Sequence, residues 1–116
     1  MDQFEVPEDA EILDVLGVEP ELSASEEMTR IVRLPGGEGE SLTLSYDIPG
    51  RSVRLQLQRQ QELLLDLFRE GAERLRLRSD AKSTAIEVDF QTESTRGTLD
   101  IQVRPAILIK DRTLLA

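Results

Sequence analysis

Three carboxylates stand where an acid and base pair could be built. Glu87 and Asp89 lie two apart in TAIEVDF, and Asp100 lies in TLDIQVR, so two paired strands would put all three on one face. Such a cluster could bind a calcium ion, or act as general acid and base on a sugar. A solvated sheet face has the same pattern, however, and no D-x-D-x-D-G loop accompanies it. Aromatic platforms for a sugar are scarce, with one Tyr, three Phe and no Trp.

The remaining chemistry is narrow. The chain has no histidine and no cysteine, which removes the side chains that most readily shuttle protons, attack or bind transition metals near neutral pH. Ser94 and Thr95 in QTESTRG lack a histidine base, and nothing in the sequence brings Lys82 or Lys110 to them. A protein without catalytic activity, metal or cofactor is expected.

LPGGEGES at 34–41 has glycines enough for a phosphate loop. A phosphate loop needs a lysine and a hydroxyl directly after the last glycine, and a helix beyond. Here Glu38 and Glu40 would repel an anion, and a strand pattern follows. The stretch reads as a hairpin loop between strands 28–34 and 41–47, with glycine supplying positive φ. Arginines 51, 54, 59, 69, 74, 76 and 78 would suggest nucleic acid if taken alone. They are interleaved with Glu62, Asp66, Glu70 and Glu73, which points to a salt-bridged surface.

Charge is divided unevenly along the chain. Residues 1–40 carry 12 acids and 2 bases, and residues 41–116 carry 11 acids and 12 bases, so all of the excess negative charge behind the net −9 sits at the front. That distribution repels phosphate backbones and attracts a basic partner. The front also lacks the basic, apolar character of a secretory leader, and the longest aliphatic run, AILI at 106–109, is far too short to span a bilayer. A cytoplasmic protein that binds neither membrane nor nucleic acid is expected.

These groups need elements to hold them. Pro7, the acids Glu8, Asp9 and Glu11, and Gly17 punctuate a short helix over residues 7–16, with Ile12, Leu13 and Leu16 on one side. Residues 17–27 read as linker. Period-two alternation marks strands in MTRIVRL, SLTLSY and SVRLQLQ, the last two joined by the turn DIPG. RQQELLLDLFREGAERLRL at 59–77 fits both periods. At 100° per residue Leu64, Leu67, Phe68, Gly71, Ala72 and Leu75 gather on one side, which predicts an amphipathic helix. The rival is two strands, 62–69 and 73–78, joined at Gly71 and Ala72. TAIEVDF and TLDIQVR form a further hairpin, and Pro105 makes AILIK an edge strand.

The expected fold class is therefore α+β: an antiparallel sheet of about five to six strands covered by one amphipathic helix, with a short acidic helix in front. The alternative is an all-β sandwich or barrel. Residues 1–27 are expected as an acidic N-terminal segment, and 28–116 as a single globular domain. The element order helix, three strands, helix, strands is similar to that of bacterial secretion chaperones, a likeness that carries no residue with it. The expected function is a small interaction protein, an immunity, antitoxin or chaperone-like module that binds a basic protein. Glu8, Asp9, Glu11 and Asp14 would steer the partner, and Ile12, Leu13 and Leu16 would bury against it. The alternatives are a self-assembling homo-oligomer in which the 105–116 edge and the helix face pair between copies, and the carboxylate ligand face at Glu87, Asp89 and Asp100.

Overall fold

A computed structural model describes residues 3–25 and 28–115. Residues 1, 2, 26, 27 and 116 lie outside it, and with them both ends of the expected acidic segment. One helix, α1 (Asp9–Leu16), precedes nine strands: β1 (Glu21–Leu22), β2 (Thr29–Pro35), β3 (Glu40–Asp47), β4 (Ser52–Arg59), β5 (Glu62–Glu70), β6 (Ala72–Ser79), β7 (Thr84–Gln91), β8 (Thr95–Arg104) and β9 (Leu108–Leu115). They form two antiparallel meanders, β1-β2-β3-β4-β5 and β6-β7-β8-β9.

The expected α+β fold, a sheet covered by an amphipathic helix, is therefore corrected to a mostly β architecture of two sheets. Residues 59–77 hold no helix. They form β5 and β6, close to the rival reading, and the chaperone-like element order goes with the lost helix. Local geometry explains why. Gln60 and Gln61 both have positive φ, 50° and 71°, as the two central residues of a tight β-hairpin require. That turn sends β5 back along β4, where Leu55 faces Leu67 and Val53 faces Arg69.

The run of three leucines, which made a helix plausible, is accommodated by a register shift. Gln58 faces Leu63 and Leu57 faces Leu65, so Leu64 has no counterpart on β4. Gly71 then takes φ +83°, outside any helix, and the chain leaves one sheet for the other. At that corner Ala72 N–H donates to the Arg51 carbonyl and Gln91 N–H donates to the Gly71 carbonyl, each at 2.9 Å.

The inward residues form rows that cross each sheet. Val32, Leu44, Leu55 and Leu67 make one row of the first sheet, and Leu77, Ile86, Ile101 and Ile109 make one row of the second. On the apolar faces of the alternating stretches, Leu42, Leu44, Tyr46, Val53, Leu55, Ile86, Val88, Phe90, Leu99, Ile101 and Val103 are buried, while Leu57 is half-buried against the core. Phe4, Ile12 and Leu16 from the N-terminal segment join the same core.

Arg69 also occupies an inward position. Its guanidinium lies 4.5 Å from the centroid of the Phe90 ring and pairs with Asp111, which ties β5 to β7 and β9.

Candidate functional site

The acidic helix ends where its punctuation predicts and starts two residues later, at Asp9 and not at Pro7. Glu8 is the extended N-cap residue, Asp9 and Glu11 lie in the first turn, and Gly17 closes the helix at φ +79° with its N–H on the Leu13 carbonyl. An eight-residue helix is marginal in isolation, so packing must hold it. Ile12 and Leu16 are only 1% and 3% exposed within the chain's own core. At the helix start Arg30 Nε donates to Asp9 Oδ1 at 3.0 Å, and at its end Arg104 Nη2 donates to the Val15 carbonyl at 2.7 Å. That places a cation where the helix carries partial negative charge.

The residues expected to meet a partner are thus divided. Ile12 and Leu16 are committed to the core, a correction to the expectation that they bury in a partner, and Asp9 is engaged by Arg30. Glu8, Glu11 and Asp14 are exposed and have no ion-pair partner among the described residues, and Leu13 beside them is 46% exposed. The helix and its N-cap therefore present three exposed carboxylates and, on a different side of the helix, one exposed apolar side chain.

Before the helix, the chain runs as an extended arm along β6. Glu5 N–H donates to the Glu73 carbonyl at 2.9 Å and Leu75 N–H donates to the Glu5 carbonyl at 2.8 Å. The Glu5 carboxylate meets Arg74 at 3.4 Å. Between arm, helix and β6 lies a groove of about 360 Å³ lined by Val6, Pro7, Glu11 and Leu77 among others. Sequence reasoning missed this groove, because its two walls come from distant parts of the chain.

The second expected face is assembled as the register predicts. Glu87 stands opposite Asp100, and Arg76 opposite Glu87, on the outer side of the second sheet. Arginines then occupy the cluster. Arg78 reaches Glu87 at 2.7 Å and Asp100 at 3.7 Å, and Arg76 reaches Asp89 at 3.1 Å and Glu87 at 3.6 Å. A cation arriving there would have to displace a guanidinium from each carboxylate. Among the described residues no group of acidic side chains is disposed to hold a metal ion.

LPGGEGES is the β2–β3 hairpin loop, with positive φ at Glu38 and Gly39 and Gly36 N–H on the Glu40 carbonyl at 2.8 Å. Thr95 Oγ1 lies 2.7 Å from Thr92 Oγ1, as part of the β7–β8 turn. Arg54, Arg59, Arg69, Arg74, Arg76 and Arg78 are salt-bridged. Arg54 and Asp66 form a two-pronged pair at 2.9 and 2.6 Å, which holds the Asp66 carboxyl below its usual range. No helix among the described residues is long and apolar enough to cross a membrane.

Neither a protein-family model nor a curated protein sequence matches the chain. A solved structure does. A chain of the contact-dependent growth inhibition toxin–immunity protein complex from Klebsiella pneumoniae 342 is similar over 98% of this chain and 100% of that one, with a TM-score of 0.85 at 18% identity. At that identity the likeness establishes the fold, and the two-sheet architecture is therefore one already seen in a solved protein.

Proposed function

We propose that this chain is an immunity module, a protein without catalytic activity that binds and neutralises a basic protein toxin. The observation that carries the reading is the full-length likeness to a chain of a toxin–immunity complex. Two features of this chain favour the immunity role over the toxin role. It has no histidine or cysteine, and its densest carboxylate cluster is spent on arginines. The net charge of −9 and the exposed Glu8, Glu11 and Asp14 supply a field that draws in and orients a basic partner.

Self-assembly is less well supported. β9 is a free edge with Leu108 and Leu114 exposed. An antiparallel copy of β9 whose faces match must centre on a residue. Centring on Asp111 sets that residue against itself and Lys110 against Arg112, and centring on either neighbour sets a cation against itself. Like charges directly opposite oppose pairing.

The test is capture from the native host with the full-length chain as bait, followed by expression of the captured polypeptide alone and together with this chain. A basic polypeptide bound in stoichiometric amount, toxic alone and harmless when this chain is co-expressed, is the expected result. A bound protein with no toxicity, or a homo-oligomer by light scattering with nothing else bound, would overturn the reading.

A further inference from the structure

The N-terminal arm stops pairing with β6 for a chemical reason. Glu5 makes two bonds of a parallel ladder, donating to the Glu73 carbonyl and accepting from Leu75 N–H. The next bond of that ladder would run from the nitrogen of residue 7 to the Leu75 carbonyl. Residue 7 is proline, which has no N–H. The arm turns off into α1, and the edge of β6 beyond Leu75 is left uncovered.

Backbone groups alternate sides along a strand. Since Glu73 C=O and Leu75 N–H point away from β7, the Leu75 C=O and the N–H and C=O of Leu77 point the same way. Among the described residues none of the three has a strand partner. They border the groove of about 360 Å³, whose apolar wall is Val6, Pro7 and Leu77. Its charges are mostly cancelled, Arg74 by Glu5 and Arg76 by Asp89 and Glu87. Glu11, which also lines the groove, has no ion-pair partner among the described residues.

We propose that this half-edge binds a short extended segment of the basic protein partner. The segment adds to β6 as a strand from Leu75 to Ser79, sets an apolar side chain on Leu77 and Val6, and sets a Lys or Arg against Glu11. Unpaired edge groups supply the affinity of strand addition, and the groove selects the side chains. The inference rests on the immunity reading and names where, and by what chemistry, the partner is held.

The test uses the full-length chain and the polypeptide it captures, with three variants. Leu77→Pro removes the outward N–H without touching the β7 ladder, Glu11→Lys reverses the groove's charge, and Glu38→Lys makes the same charge change at the β2–β3 hairpin tip. Leu77→Pro and Glu11→Lys are expected to weaken binding by about tenfold or more, and Glu38→Lys by no more than about threefold. Hydrogen exchange on the unaltered chain gives a readout independent of any variant's folding. The Leu77 amide should become protected when the partner is bound.

Tight binding by Leu77→Pro and Glu11→Lys, or a Leu77 amide that exchanges equally fast in the complex, overturns the groove while leaving the immunity reading in place. If the unaltered chain captures no protein, both fall.

Discussion

Tyr46 shows how a single side chain can be both well packed and badly satisfied. Its ring is 1% exposed, in the inward row with Val53, yet its hydroxyl has no hydrogen-bond partner among the described residues. A buried hydroxyl without a partner costs about 1–3 kcal/mol of desolvation. Burial, assisted by the nearby Asp9 carboxylate and opposed by Arg30, pushes the phenol from 10.0 up to about 12. The folded state therefore keeps a proton that the unfolded state releases between those values, so stability falls as pH rises through that window. Relative to Tyr46→Phe, the parent should lose about 1.4 kcal/mol by pH 11. At pH 8 the variant should be equal to the parent or more stable by about 1 kcal/mol. Urea titrations of both proteins at the two pH values measure this. A variant weaker than the parent by more than about 1 kcal/mol at pH 8 would mean that the hydroxyl has a partner after all.

At the scale of elements, Gly71 decides the fold that the helical periodicity of 59–77 obscured. Alternation made the strands around 42–46, 53–57, 86–90 and 99–103 legible, because one face of each is buried and the other is wet. The 59–77 stretch carried both periods. Its leucines suit either, and the choice fell to features that periodicity does not score: two glutamines in left-handed conformation, a bulge that absorbs Leu64, and a glycine at φ +83°. Of the candidate site, the exposed acids of α1 were legible from their types. The fate of Ile12 and Leu16 was not, because an apolar stripe does not say which surface will cover it. The groove depends on Pro7 meeting the edge of β6, a contact that no local pattern encodes. Gly71→Ala tests the corner. A Cβ there would lie 2.7 Å from the Gln91 carbonyl oxygen and would hold alanine in a left-handed conformation. A loss of about 3 kcal/mol is expected, measured by thermal melting, whereas a glycine in a helix interior would gain about 1 kcal/mol from the same change. The sign of the shift distinguishes the two structures.

For the whole molecule, the acidic front is joined to the body by both packing and charge. Phe4, Ile12 and Leu16 are 4%, 1% and 3% exposed, and Asp9, Glu5 and Glu21 pair with Arg30, Arg74 and Arg33. The exposed ion pairs contribute little, about 0–1 kcal/mol each. Burial of the three apolar side chains is worth about 1.5–3 kcal/mol apiece. Together these approach the entire stability of a domain this size, about 5–15 kcal/mol. A chain lacking residues 1–27 should therefore show no cooperative melt under conditions where the full-length chain has one. A truncated chain that melts within a few degrees of the parent would mean that the front segment is an appendage. The consequence for recognition follows directly: if deletion unfolds the body, loss of partner capture on deletion says nothing about where the partner binds. Charge reversal at exposed positions such as Glu11 separates the two roles, because it changes the field the partner meets and leaves Phe4, Ile12 and Leu16 in place.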